Sequence, residues 1–250
     1  MTSLLRIRDV SKTYPDGSGD VAVFENASLE VSAGAHVGVY GRRRSGKSTL
    51  MRIAAGIDRP DAGTVIFDGH DLTRISGSAH AHLLRSRLAF IANSDWRPNP
   101  GESIVQHLAV SLGGDGRTVG EAERRALREL DLVGFNAVRA RSMASQLSMV
   151  DRTRVMLARA LAREPVLIVV DDPVLTPSTS ERDSIYRLLR VLACERGAAL
   201  LVASDDLPAL QGFDVLMSIS ARELCSSEGM ATIVPFPTSP LIGPVRDTGS

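Results

Sequence analysis

Gly41 and Gly46 frame the loop of GRRRSGKSTL (residues 41–50), between a short strand-like stretch, HVGVY at 36–40, and residues that suit a helix from Ser48 to Ala55. Few folds accommodate this order. A buried strand has to run into a tight turn that glycine backbone permits, and the turn has to open directly into a helix. That helix ends at Gly56, with Pro60 just beyond. The spacing G-x-x-x-x-G-K-[ST], met by Gly41, Gly46, Lys47 and Ser48, is that of a loop whose backbone N–H groups converge on phosphate oxygens at a helix N-terminus. In such a loop Lys47 reaches the outer phosphates and Ser48 ligates Mg²⁺, with Ser45 and Thr49 in the same cradle. Of the 29 basic residues only Lys12 and Lys47 are lysine, so a compact ammonium stands here in a chain that otherwise uses arginine. Arg42, Arg43 and Arg44 fill loop positions that usually carry small or neutral residues.

A second element fits the first. VLIVVDD at 166–172 is an apolar strand ending in two carboxylates. Beside a phosphate loop, such a strand supplies the acid that holds Mg²⁺. Asp171 takes that place, with Asp172 next to it.

The rest of the chain alternates strands and helices. LLRIRDV at 4–10, TVIFDG at 64–69, LAFIAN at 88–93, ALLVA at 199–203 and VLMSI at 215–219 read as strands, and VAVFENASLEV at 21–31 as two more around Asn26. Helices are expected at 121–133, from Val150 to Arg163 and across 180–196. Residues 94–150 are turn-rich and helical, which reads as an insert between strands. The fold class is therefore α/β with a mainly parallel sheet and an antiparallel portion near the N-terminus. One domain over 1–234 is expected, followed by a flexible tail over 235–250.

Composition narrows the classes. The formal net charge is zero, which removes any whole-protein argument for nucleic acid as a partner. The apolar runs VLIVV and AALLVA fall far short of the ~20 residues that span a bilayer. MTSLLRIRDV lacks the pattern of a signal peptide, and Cys194 and Cys225 form no CxxC. A cytoplasmic protein, or one docked on a membrane without entering it, is expected. His80 and His82 are read as solvated, His36 and His107 as structural. Trp96 is either a packing residue or an interface anchor. Glu121 and Arg125 stand at a favourable i,i+4 spacing.

Over about residues 3–220 the chain resembles the ATP-binding subunit of an ABC transporter. SKTYPDG at 11–17 resembles the family's aromatic loop, in which a tyrosine, here Tyr14, stacks on adenine. GIDRPDAGTVIFDG at 56–69 is similar to the stretch after the phosphate loop. QLSMVDRTRVMLARALAREPVLIVVDDP at 146–173 resembles the run from the signature motif through the metal-binding strand. DLTRIS and RLAFIAN are most similar to ATPases serving lipoprotein-export, macrolide-export and cell-division type permeases. The resemblance implies a P-loop NTPase fold with an N-terminal antiparallel β subdomain and an inserted helical subdomain over 94–150. It implies ATP and Mg²⁺ as cofactors, with Ser48, Asn93 and Asp171 on the metal. It also implies an integral membrane permease as partner, and a peripheral position on the inner face of the cell membrane. Two ATPase domains, identical or different, would hold two ATPs between them, each gripped by one subunit's phosphate loop and the other's signature motif.

Several positions depart from the family pattern. The signature reads Leu147-Ser148-Met149-Val150-Asp151 in place of LSGGQ. Met149 and Val150 add bulk where glycine lets backbone approach a phosphate, and Asp151 brings negative charge toward a site built for an anion. Ser148 remains a donor and helix cap. The catalytic glutamate is Asp172, about 1.5 Å shorter, which lowers the value of a general base worth ~10²–10⁴-fold. The usual glutamine is Asn93. The histidine that contacts the γ-phosphate is Asp205, whose charge would repel that phosphate by about 4 kcal/mol at roughly 4 Å and an effective dielectric near 20. The D-loop is Leu175-Thr176-Pro177-Ser178. Arg42, Arg43 and Arg44 could offset Asp205 or Asp151, reach a partner's carboxylates, or be solvated loop charges. Two readings follow: an ATPase that couples slow hydrolysis to a permease, and an ATP-binding structural or regulatory subunit without useful turnover. A GTPase is disfavoured, since no NKxD stretch is present, and a small-molecule kinase by the signature-like helix immediately before the VLIVVDD strand.

Overall fold

The computed structural model describes residues 3–17, 19–75, 77–92, 96–99, 101–112, 118–173, 178–220 and 223–226. In chain order, β1 (Ser3–Asp16) and β2 (Gly19–Ser32) form a long hairpin, and β3 (His36–Gly41) runs through the glycine loop into α1 (Lys47–Ala54). Then come β4 (Ala62–Phe67), β5 (His70–Asp71), α2 (Gly77–Arg87), β6 (Leu88–Ala92), α3 (Ile104–Leu112), α4 (Val119–Leu132) and α5 (Met149–Leu161). The chain continues with β7 (Leu167–Asp171), α6 (Thr179–Glu195), β8 (Ala199–Ser204), β9 (Val215–Ser220) and β10 (Glu223–Ser226).

Two sheets result. An antiparallel sheet has the order β2-β1-β4-β5, and a second has the order β10-β9-β3-β8-β7-β6. The second is parallel from β9 to β6, with β10 antiparallel at its edge. Its central strands are apolar at nearly every position because both faces are covered. Leu167, Val169, Leu201 and Ala203 enter a core with α1 and the antiparallel sheet. Ile168, Val170, Leu200 and Val202 enter another with α3 to α6. Successive residues thus serve opposite cores, the period of two that a strand imposes. Burying each Leu or Val in this way is worth about 1.5–3 kcal/mol.

Two strand expectations change. The segment 21–31 is one strand, not two: Asn26 takes φ 53° at an irregularity and pairing resumes beyond it. Residues 11–16 are the continuation of β1 rather than a loop, with Thr13 opposite Ala22 and Tyr14 opposite Val21. The Pro and Gly of this stretch sit at the hairpin's end.

Among the described residues four helices carry side-chain caps. Ser103 and Gln106 bond each other's backbone N–H at the start of α3. Thr118 and Glu121 form a reciprocal capping box on α4, Ser148 caps α5 and Ser178 caps α6. Each is worth about 1 kcal/mol. Glu121 is used in that box, and Arg125 bonds Glu164 at 2.6 Å. Among the described residues no helix is long and apolar enough to cross a membrane.

Candidate functional site

Parallel register brings the candidate residues to one edge. Val39 is level with Ala203, Tyr40 with Ser204, and Asp171 with Ala203. The glycine loop, the paired aspartates and the end of β8 therefore emerge together at the carboxyl ends of the strands, where ligands of open α/β sheets bind.

The loop is fixed by close packing. Gly46 has φ 98°, and a Cβ there would lie 2.5 Å from Val23 Cγ1 and 3.2 Å from Phe24 Cδ1. A Cβ on Gly41 would run into Ser45 Oγ. Lys47 is 6% exposed, and its Nζ donates to the carbonyls of Gly41 at 2.6 Å and Arg42 at 3.1 Å. Ser45 Oγ is buried without a hydrogen-bond partner among the described groups. The N-terminus of α1 has no side-chain cap and no acid in its first turn, in contrast to α4, α5 and α6. Its N–H groups, the Ser45 hydroxyl and the Lys47 ammonium form a donor set suited to a phosphate chain. Thr49 lies half-buried in the same turn.

Ser48 Oγ donates to Asp171 Oδ1 at 3.1 Å, which joins two of the expected metal-binding side chains. A hydroxyl and a carboxylate are the oxygen ligands Mg²⁺ accepts. Asn93, the third, lies outside the described residues, as do Leu175, Thr176, Pro177 and the tail from residue 235.

Asp172 follows β7 with φ 45°, and its N–H donates to Ala203 O at 3.1 Å. Burial first, then the charge of Asp205, pushes its carboxyl up to about 6; Lys47 opposes the rise and Asp171 adds to it. The Asp205 N–H donates to the Asp172 carboxylate, which also opposes the rise. Asp205 itself is exposed. Behind it, the Tyr186 hydroxyl donates to Ser204 Oγ at 2.8 Å, and so does the Asp206 N–H at 3.1 Å. Arg182 forms an ion pair with Asp206. This buried network anchors the turn that carries Asp205.

Tyr14 is 38% exposed, and its hydroxyl donates to Asp58 Oδ2 at 3.3 Å. Asp58 is gripped by Arg52 of α1 through bonds of 2.7 and 2.9 Å, which holds its carboxyl below the usual range. The tyrosine is thereby tied to the helix that follows the loop, its ring still partly open.

At the start of α5 the structure supplies the partners of Asp151. Asp151 does not stand as a free charge: its Oδ2 accepts from Arg139 Nη2 at 2.6 Å and from Ser148 Oγ at 2.9 Å. Ser148 also accepts from the Asp151 N–H at 3.2 Å, so its hydroxyl serves the cap and the neighbouring carboxylate. The Arg139 guanidinium lies 4.4 Å over the Phe135 ring. The cation that offsets Asp151 is Arg139, which sets aside one of the alternatives open to Arg42, Arg43 and Arg44. The three loop arginines are exposed and form no ion pair with a described carboxylate, Asp205 included. Met149 is 41% exposed beside this cluster. A cavity of about 370 Å³ adjoins it, lined by Arg139, Ser148, Asp151, Arg154 and Glu181.

Arg139 is the residue that sequence reasoning missed, because no regular spacing links it to the signature segment. Trp96 packs edge-on against His107 at 4.9 Å, and His107 Nδ1 lies 3.0 Å from Glu102 Oε2. His82 is exposed, whereas His80 is partly buried and its Nε2 has no hydrogen-bond partner among the described groups. The α2 helix packs too closely there for both histidines to be solvated.

Comparison with known proteins agrees with this geometry. A family model described as ABC transporter matches residues 24–175. The chain is 32% identical over 232 residues to the lipoprotein-releasing system ATP-binding protein LolD of Shewanella frigidimarina, covering 93% of each chain. Among solved structures it is similar to the dimeric ATP-binding cassette MJ0796 bound to ADP and Pi, with a TM-score of 0.79, 24% identity, and coverage of 88% of this chain and 96% of that one. A nucleotide-free ATP-binding cassette from an ABC transporter gives a TM-score of 0.72 at 20% identity, covering 89% and 90% of the two chains. The chain belongs to the ABC transporter family and has the fold of its ATP-binding cassettes.

Proposed function

We propose that the chain is the ATP-binding subunit of a transporter complex, coupling ATP binding and slow hydrolysis to an integral membrane permease from the cytoplasmic face. The observation that carries this reading is the donor set of the glycine loop: an uncapped α1 N-terminus, a buried Ser45 hydroxyl without a partner, and the buried Lys47. In this reading the loop from Gly41 to Thr49 holds the phosphates, and Tyr14 offers its ring to adenine. Ser48, Asn93 and Asp171 hold Mg²⁺, which supplies charge neutralisation between phosphates. Asp172 accepts the proton of the attacking water. With a carboxyl pushed up to about 6 it is mostly ionised at neutral pH, in the range that suits a general base. Its reach, shorter than a glutamate's, slows the reaction.

The curated relative serves a lipoprotein-releasing system as its ATP-binding protein, which supports a permease-linked role. A cassette dimer, as in the MJ0796 structure, is the expected assembly. A second reading, a binding subunit without turnover, is favoured by the Arg139–Asp151–Ser148 cluster, which fills the N-terminal end of α5 with the chain's own carboxylate. Phosphate release from Mg·ATP by the chain with its co-purifying membrane partner separates the two. Turnover abolished by both Lys47→Ala and Asp172→Ala supports the ATPase. Retained ATP binding without turnover supports the second reading.

A further inference from the structure

The nucleotide reading uses the backbone of the glycine loop and leaves the side chains of Arg42, Arg43 and Arg44 without a task. All three are exposed, and none forms an ion pair with a described carboxylate. The acids nearest in sequence role are engaged elsewhere. Asp151 is held by Arg139, and the basic group that acts on Asp172 is Lys47. Arg44 in addition takes φ 63°, a left-handed backbone that glycine would adopt without strain. The loop therefore keeps a long cationic side chain at a position whose backbone disfavours it.

Charge around the site is lopsided. The strand ends contribute three carboxylates, Asp171, Asp172 and Asp205, and the end of β8 offers no cation to the outermost phosphate. The loop contributes Lys47 and three guanidiniums. Lys47 sits low in the cradle, with its ammonium on the loop carbonyls. Guanidiniums stay charged at any working pH and present a fork that matches phosphate oxygens.

We propose that Arg42, Arg43 and Arg44 form a cationic rim that recognises the terminal phosphate of a nucleoside triphosphate, so that the phosphate loop itself distinguishes tri- from diphosphate. This rests on the nucleotide-binding reading above and assigns the discrimination within it. The end of β8, which carries a carboxylate, is left to orient Asp172. Because the rim is exposed, its contribution is screened as salt rises.

The test is titration of the full chain with the Mg²⁺ complexes of ADP and of the β,γ-imido analogue of ATP, at low and physiological salt. Variants are the Arg42→Gln/Arg43→Gln/Arg44→Gln triple and the matching triple lysine substitution. The glutamine triple is expected to lose about tenfold of the triphosphate preference, one factor of 1.4 kcal/mol, with ADP affinity within about threefold of wild type. The lysine triple is expected to keep most of the preference, and the preference of the wild type to shrink with salt. Arg44→Gly, which relieves the left-handed backbone, provides a folded variant with the same direction of change if the triple is unstable. An unchanged preference in the glutamine triple overturns the proposal while leaving the nucleotide reading intact. So does an equal loss for both nucleotides. A wild-type chain that binds neither nucleotide overturns both.

Discussion

Ser48 and Asp171, separated by 123 positions, meet through a 3.1 Å hydrogen bond from the serine hydroxyl to the carboxylate. One begins the helix after the glycine loop and the other ends β7. Their meeting turns two separate sequence signals into a single oxygen-rich corner beside Lys47. If this corner holds Mg²⁺, Ser48→Ala or Asp171→Asn removes most of the Mg²⁺ dependence of ATP affinity. ATP titrations with and without a chelator should differ by at least about tenfold in the wild type and by less than about threefold in either variant. Equal Mg²⁺ dependence in all three proteins would place the metal elsewhere.

Asp172 makes the ligand-free fold sensitive to pH in a defined direction. Its carboxyl titrates at 3.8 in an ordinary setting and at about 6 here, so the folded chain holds the proton more tightly than the unfolded chain. Stability from this group is then fully present below pH 4 and is lost as pH rises through about 6. Two pKa units correspond to about 3 kcal/mol, and partial contact with solvent reduces this to about 1 kcal/mol. Asp172→Asn is accordingly expected to raise the urea midpoint at pH 8 and to have little effect at pH 4. The opposite ordering would contradict the burial that drives the shift.

Arg139 and Asp151 are coupled across the gap between a 3₁₀ turn (Arg139–Arg141) and α5. A double-mutant cycle with Arg139→Ala and Asp151→Asn should return an interaction of about 1 kcal/mol in denaturant unfolding, within the range of partly exposed pairs. Arg139→Ala alone also removes the contact with Phe135, so it is expected to cost more than Asp151→Asn. Additive effects would mean that the pair does not hold the start of α5.

The parts of the site legible in sequence are those written in short, regular spacing. The glycine loop and the VLIVVDD strand each lie within one element and its cap, and backbone geometry forces their side chains into known directions. Arg139 was not legible because it reaches Asp151 from a single 3₁₀ turn over Arg139–Arg141, too short for spacing to carry directional information. The Tyr186–Ser204 bond joins a helix to a strand 18 positions away, and nothing local distinguishes that tyrosine from a core aromatic. Around His80 and His82 the sequence left helix and loop open, because only Leu83 of α2 is buried, too little to produce an apolar stripe. Tyr14 shows the converse. Its motif was legible, but the resemblance of residues 11–17 to an aromatic loop implied a loop where pairing with β2 continues through Tyr14.

Gly46 offers a test in which steric and conformational costs separate. A methyl there meets Val23 Cγ1 at 2.5 Å, and the residue also holds φ 98°. Gly46→Ala should therefore destabilise the chain by two additive routes. The left-handed backbone costs about 1–2 kcal/mol, and the overlap with Val23 costs about 1–3 kcal/mol. Val23→Ala in the same chain removes the overlapping methyl and leaves the backbone cost untouched. The double variant is expected to recover part of the loss in thermal or urea unfolding, but not all of it. Full recovery would show that the backbone at 46 is not intrinsically strained, and that glycine is needed there only for space. No recovery would show that β2 does not press on the loop. Partial recovery of stability without recovery of nucleotide affinity would fit a loop whose N–H groups point correctly only in the left-handed conformation.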